Sequence, residues 1–389
     1  MKTAFICTGN TFTPSMLYKD NYFIKASVNS GYETLVIATQ YIYKDGKRCE
    51  APAGESYING YRLVRVPYKK VLGNERITEK IRNSTDLTDL LISFEPDFVF
   101  YNCPQIYNIT ELKRLKKAVP NTRIVLDFST KYINSAKNPL SKYVLHRGIY
   151  RRWLHKAQPF VDCITYVSPE TLDFILAEYK LNKDKMIEVG LPAEIISEST
   201  KIHNRESIRK EYNLKDDDIL FVHSGKIGKL KRTVELLQSF SKYDSPHFKM
   251  IIAGSLEDEV RDVILKLIEN DKRVKYIGFV TGEYLTKLLC ACDMYLQPGT
   301  ISQTSQTAIC CGSPIMFMNC PTNEELFNGN GFLLDGIDQM DSVFETIKAD
   351  PSRLDIMKEK SMLLAKERLE YKKLFMDTLK AAGINEDNS

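Results

Sequence analysis

Three segments carry side chains that could do chemistry. In the first, Lys226, Lys229, Lys231 and Arg232 follow the apolar run 219–223 and precede an amphipathic stretch that begins at Thr233. Cations between a strand end and a helix start favour a phosphate, because the helix N-terminus adds unpaired N–H groups and a positive dipole end. The same residues also suit an exposed basic turn. In the second, Pro298-Gly299 is a turn, Ser302 a helix N-cap, and a helix then runs through Ala308 to Gly312-Ser313-Pro314. That places free backbone N–H groups beside Thr300, Ser302, Gln306 and Thr307, as a capped helix or as a polar site. The third, residues 142–160, is the most basic stretch of the chain. Arg147, Arg151 and His155 recur at helical spacing, and Ile149, Trp153 and Ala157 form a second stripe. Such a helix reads as an interface with an anionic membrane surface, or as a core stripe backed by a solvated face.

Other familiar chemistry is excluded. There is no G-x-S-x-G, no H-E-x-x-H, and no G-x-G-x-x-G after the first strand. The run Ser224-Gly225-Lys226-Ile227-Gly228-Lys229 has two residues between its glycines where a P-loop needs four, and Leu230 stands where magnesium needs a hydroxyl. Asp216-Asp217-Asp218 contains a D-x-D, but it precedes a strand, whereas parallel α/β sheets bind ligands after their strands. No metal site is expected.

The elements that must hold these segments repeat one pattern. Short apolar runs at 3–8, 34–39, 62–66, 97–101, 123–126 and 163–167 alternate with helical stretches such as 85–94 and 109–118, and a long helical segment follows Asn10. A second series, 219–223, 249–254, 274–277, 294–297 and 314–318, alternates with helices in the same way. Continuous apolar strands between helices predict parallel sheets covered on both faces. The fold class is α/β, two doubly wound domains facing each other across a cleft. The expected boundaries are 1–195, a polar linker at 196–217, a second domain at 218–351, and charged helices at 352–389, long enough to reach beyond the domain they follow and cross back to the first, that end in a polar tail. At 389 residues, 43% hydrophobic and 27% charged, the composition is that of a globular protein. A net charge of +4 is too small for a nucleic-acid binder. Nine scattered cysteines without a C-x-x-C pair suit a reducing, cytoplasmic setting. No apolar run reaches membrane-spanning length.

Taken in order, the second series resembles the donor domain of family 4 retaining glycosyltransferases, which have the GT-B fold. Gly225-Lys226 and Lys231-Arg232 stand where that family has Gly-Arg and Lys-Gly. Ile251-Ile252-Ala253-Gly254, the Val274 to Val280 segment and Asn330-Gly331-Phe332-Leu333-Leu334 match its next strands and loops. Ala291 to Gly299 is similar to its "A-D-v-x-v-x-P-S" segment, and Thr307-Ala308-Ile309-Cys310-Cys311-Gly312-Ser313-Pro314-Ile315 to its "E-A-M-A-C-G-x-P-V" helix. The first half agrees more loosely, through Gly31-Tyr32-Glu33-Thr34-Leu35, Glu95-Pro96-Asp97-Phe98-Val99 and Val161-Asp162. Departures are equally specific. The family's two acidic residues are missing, and Pro298-Gly299-Thr300-Ile301-Ser302 followed by Gln306 resembles a variant branch with "P-G-x-x-S-x-x-x-E". Asp127-Phe128-Ser129 stands where the family usually carries a histidine.

The resemblance implies transfer of a sugar from a nucleotide-diphosphate sugar, a co-substrate, with retention and without a resident cofactor or metal. Lys226 and Lys231 would bind the diphosphate, with Gly225, Gly299, Thr300 and the Ser302 helix start around it. Gly278, Phe279 and Val280 would hold the nucleobase, and Gln306 or Thr307 the ribose. Gly9 and Asn10 would close over the donor from the first domain, whose acceptor site would lie near Asp127 and Ser129. The implied acceptor is a glycan or lipid-linked glycan at the inner face of the membrane, with peripheral contact through 142–156. The competing expectation is a GT-B pseudoenzyme that binds or scaffolds without turnover.

Overall fold

The protein is described by a computed structural model that covers every residue except Ser15, Asp45, Ile301 and 386–389. Ile301 of the Pro-Gly motif and most of the expected polar tail therefore lie outside the described residues. The chain forms two compact units: Met1–Pro14, Asp20–Gly190 and the described part of Tyr371–Ser389 make one, and the other is chiefly Leu191–Glu370.

The first unit is built on β1 (Lys2–Cys7), β2 (Glu33–Thr39), β3 (Tyr41–Lys44), β4 (Lys47–Glu50), β5 (Gly54–Ile58), β6 (Tyr61–Val66), β7 (Phe98–Asn102), β8 (Arg123–Phe128), β9 (Cys163–Tyr166) and β10 (Met186–Glu188). Eight of them form one sheet in the order β10-β9-β8-β7-β1-β2-β6-β5, parallel except for the edge strand β5, while β3 and β4 pair as a separate hairpin. The interior strands are apolar throughout because helices cover both faces: Ala4 to Cys7, Leu35 to Ala38 and Phe98 to Tyr101 are all buried. One face is closed by the chain's last helix, Tyr371–Ala381. Its Phe375 ring lies 5.6 Å from Phe23 and 6.2 Å from both Phe5 and Phe98.

The second unit holds a fully parallel sheet of β11 (Ile219–Ser224), β12 (Phe248–Ala253), β13 (Val274–Tyr276), β14 (Met294–Gln297), β15 (Ile315–Met318) and β16 (Gly331–Leu334). Its order is β13-β12-β11-β14-β15-β16. Strand order reverses between β11 and β14, so their following loops diverge and leave a crevice, the usual ligand position in such sheets. In the first unit the reversal falls between β1 and β7.

Several expectations change. Residues 196–217 are not a linker: Glu198–Glu211 is a helix of the second unit, capped by Ser197, with Asn204 and Ile208 buried. The helical segment after Asn10 shrinks to Lys19–Asn29. The 352–382 stretch breaks at Glu370, whose extended backbone (ψ 119°) separates helices of the second unit from the final helix of the first.

Around the second crevice, backbone meets backbone with no room for side chains. Gly254 has φ +135°, and a Cβ there would lie 1.8 Å from the Gly225 carbonyl oxygen. Its N–H donates to the Gly278 carbonyl at 2.7 Å, which ties the loops after β12 and β13 together. Gly254→Ala is expected to cost about 2 kcal/mol or more, since steric overlap is added to a strained backbone. Urea unfolding of the variant measures this, and an unchanged midpoint would mean the loops part without penalty.

Candidate functional site

After β11 the chain turns at Gly225 (φ +131°), crosses Lys226 to Gly228, and forms a single 3₁₀ turn, Lys229–Lys231. This turn buries Lys231, which is only 6% exposed, and its Nζ donates to the Thr300 carbonyl at 2.7 Å. Burial disfavours the ammonium and pushes its pKa down to about 8. An ammonium has three N–H donors, and among the described residues this one has a single hydrogen-bond partner and no carboxylate within 4 Å. The loop after β14 lies against the same turn. Gly299 is a glycine of necessity, because a Cβ would sit 2.0 Å from the Leu230 carbonyl, and Thr300 N–H donates to that carbonyl at 2.9 Å.

A buried polar network fixes the far wall. Tyr295 donates its hydroxyl proton to Gln297 Oε1 at 2.7 Å, and Gln297 Nε2 donates to the Thr300 carbonyl at 2.6 Å. With that proton committed, the hydroxyls of Ser224 (3.1 Å) and Thr304 (2.9 Å) donate to the Tyr295 oxygen. Thr304 Oγ1 in turn lies 2.7 Å from Ser302 Oγ at the start of the helix Gln303–Cys310. Beneath the turn, His223 is fully buried. A carbonyl can only accept, so Nδ1 carries the proton and donates to Leu296 O (2.7 Å), while Nε2 accepts from Thr233 Oγ1 (2.9 Å). Burial pushes the ring down to about 4, so it is neutral. The arrangement holds one positive charge, with N–H groups to spare, against a helix start. It can bind an oxyanion and stabilise charge developing on it.

The other expected residues are placed as follows. Lys226 is exposed and pairs with Glu257 at 2.8 Å, and Lys229 pairs with Glu259. Thr300 contributes its carbonyl. Gly278 (φ +72°), the half-exposed Phe279 and Val280 form an open loop after β13. Gln306 and Thr307 depart from expectation: both are buried, and both turn back on their own helix. The Gln306 amide donates to the Ser302 carbonyl at 2.9 Å, and the Thr307 hydroxyl donates to the Gln303 carbonyl at 3.3 Å. Each side chain commits its N–H or O–H donor to its own helix in this conformation. Asp217, Asp218 and His247 cluster at the opposite, N-terminal ends of β11 and β12. There Asp217 meets His247 (3.1 Å), and Asp218 accepts from Lys215 N–H.

In the first unit, Asp127 is corrected from a site residue to a buried one. It faces along the sheet, accepting from Thr165 Oγ1 at 2.5 Å on the neighbouring strand. Beyond it, the ends of β1, β7 and β8 enclose a pocket of about 300 Å³ that Gly9, Asn10 and Ser129 do line. Its remaining walls include Lys80, Arg82, Gln105 and His146, which sequence reasoning missed. These four share no spacing or motif, and only the tertiary fold assembles them.

The basic helix pair Leu140–Tyr150 and Arg151–Ala157 faces protein through the stripe expected to face lipid. Arg147 forks onto the buried Glu178 carboxylate at 2.8 and 3.1 Å. Arg151 Nε donates to Glu178 O and His155 Nε2 to Tyr179 O, so the stripe caps the C-terminal carbonyls of the helix ending at Tyr179. Burial alone would raise the Glu178 carboxyl, but hydrogen bonds from Arg147 and Tyr132 hold it below the ordinary carboxylate value. No helix among the described residues is long and apolar enough to cross a membrane.

Comparison with known proteins agrees with this geometry. Residues 204–360, most of the second unit, match the family model described as "Glycosyl transferases group 1". The alpha-galactosylglucosyldiacylglycerol synthase of Streptococcus pneumoniae is 21% identical over 341 residues, 82% of this chain and 83% of that protein. The Anabaena protein Alr3699/HepE, solved with UDP and glucose, superposes with a TM-score of 0.64 at 14% identity, covering 98% of this chain and 99% of that one. WaaG, a glycosyltransferase involved in lipopolysaccharide biosynthesis, gives 0.66 at 14% identity, covering 99% and 100%. The fold is GT-B, and the family match supports a glycosyltransferase of that type.

Removing Arg147 should therefore act on the fold. Arg147→Ala leaves the buried Glu178 short of its bidentate partner and is expected to lower the unfolding temperature. Thermal unfolding reads the loss, and a variant as stable as the wild type would release the stripe from its structural role.

Proposed function

We propose that this protein is a retaining, metal-independent glycosyltransferase that moves a sugar from a nucleotide-diphosphate donor to a glycan or lipid-linked glycan, in assembly of bacterial surface polysaccharide or glycolipid. The observation that carries the reading is the Lys231 ammonium, buried at the sheet's switch point beside Gly225 and the Ser302 helix start. As the glycosidic bond breaks, charge grows on the leaving diphosphate, and a preplaced cation then stabilises the transition state more than the ground state. Lys226 would join it by leaving Glu257. Gly225 keeps the space beside Lys231 and Ser302 free of a side chain, Gly299 and Gly254 let the surrounding loops pack closely, and the Gly278–Val280 loop would hold the base. The glycolipid synthase and the UDP-bound relative support the donor and acceptor classes.

A pseudoenzyme that binds the nucleotide without turnover is the second reading, favoured by the burial of Gln306 and Thr307. Assaying release of free nucleoside diphosphate from a panel of nucleotide sugars separates the two, because turnover requires release and scaffolding does not. With an active donor in hand, Lys231→Ala is expected to lower the rate about 100-fold or more while the fold persists. Near-normal turnover would remove Lys231 from the site.

Acid–base behaviour adds a second expected outcome. An anion needs the protonated amine, which in the free protein is lost as pH rises through about 8. Affinity for a nucleoside diphosphate should therefore be full near pH 7 and fall toward about tenfold per unit above pH 8. Calorimetric titration from pH 7 to 9.5 measures the slope. Lys231→Met should flatten it, and an unchanged slope in that variant would assign the dependence elsewhere.

A further inference from the structure

The pocket of the first unit has an unbalanced charge. Fourteen residues line it, with Lys80 and Arg82 among them and no carboxylate. Neither cation makes an ion pair among the described residues. Arg82 ends the helix Glu75–Ile81 in a left-handed conformation (φ 50°), and its Nε donates to the Glu79 carbonyl at 3.1 Å, leaving both terminal nitrogens of the fork without a partner among the described residues. Tyr150 donates its hydroxyl to the Lys80 carbonyl at 2.7 Å and so pins this helix end to the pocket wall.

A third donor comes from His146, which is only 5% exposed. The Gln105 amide nitrogen donates to the Tyr179 oxygen at 3.3 Å, and the Tyr179 hydroxyl lies 2.8 Å from His146 Nδ1. The arrangement that uses every group sends the tyrosine proton to Nδ1 and leaves the ring's proton on Nε2. That N–H has no partner among the described residues. Burial also pushes the ring down to about 4, and Arg82 adds to the shift, so His146 is a neutral donor. Hydroxyls and amides of Ser129, Thr130, Asn10 and Asn134 make up much of the rest of the lining, a surface suited to sugar hydroxyls.

From this assembly we infer that the pocket takes a phosphate-bearing sugar or polyol, its phosphate held by Lys80, Arg82 and His146 Nε2–H. The inference rests on the transferase reading for its role, since this ligand would be the acceptor. It specifies what that reading leaves open, the charge of the acceptor. A planar guanidinium fork matches a phosphate bidentately, and two unpaired cations would repel one another less once an anion lay between them.

The phosphate belongs either to a free sugar phosphate or to one carried on lipid. Calorimetry on the full chain with glucose 6-phosphate, glucose 1-phosphate and glucose tests the first source. Sedimentation with phosphatidylcholine vesicles, with and without phosphatidylinositol, tests the second. A sugar phosphate should bind at least about tenfold more tightly than glucose, and Arg82→Gln or Lys80→Met should each weaken it by about tenfold, with Arg82→Lys intermediate. Recruitment to phosphatidylinositol vesicles that Arg82→Gln abolishes, without binding of free sugar phosphates, supports the lipid-borne form. Glucose binding as tightly as its phosphates overturns the inference. So do phosphate affinities indifferent to both substitutions, or binding of neither source. Titrating UDP and ADP against the same variants keeps the two readings apart. Retained nucleotide binding shows that the fold and the donor site are intact, whereas its absence in the wild type counts against the donor reading alone.

Discussion

The second unit is organised around one buried ammonium. Lys231 gives up water for a single carbonyl, and that exchange is tolerable only because the surrounding backbone holds the carbonyl in place. Thr300 presents its oxygen because Gly299 lies flat on Leu230 and because Gln297, fixed by Tyr295, also donates to it. The 3₁₀ turn is held by Gly228 and by the left-handed Arg232. A change in any of these frees or displaces the charge, so the glycines, the tyrosine and the lysine form one mechanical element. Neutral His223 beneath it avoids adding a second positive charge where there is no counter-ion.

The two units solve related problems differently. In the second, the charge is deep, single and set by backbone, which suits a ligand whose phosphates lie against main-chain N–H groups. In the first, the cations come from one helix end, more exposed, and hydroxyls and amides contribute much of the wall. Both sites occupy the place where strand order reverses, because only there do successive loops part.

Legibility in the sequence followed the range of the forces involved. Interior strands such as 219–223 and 97–101 could be read because burial on both faces demands unbroken apolar runs. The glycine positions of the second crevice were legible through family resemblance. The helix Glu198–Glu211 was not, since only Asn204 and Ile208 are buried and a nearly all-polar helix has the composition of a linker. The period of Arg147, Arg151 and His155 was legible, but their partners, the Glu178 carboxylate and the carbonyls of a helix 24 to 31 positions on, were not. Asp127 drew attention because Asp127-Phe128-Ser129 stands where the family usually carries a histidine, yet strand alternation points it at Thr165 and leaves the opening to Ser129. Gln306 and Thr307 aligned with acidic positions of the family, and helix geometry turns both inward.

The last helix gives the chain a timing problem during its synthesis. The first unit's aromatic core, Phe5, Phe23, Phe98 and Phe100, waits for Phe375, which leaves the ribosome only after the whole second unit has been made. The second unit, apart from a few early residues, is contiguous and can close as it emerges. The unit whose strands come first in the sequence is therefore completed after the unit that follows it. Until then its sheet exposes a phenylalanine-rich face, and that interval is when the nascent protein most needs protection from association with its neighbours.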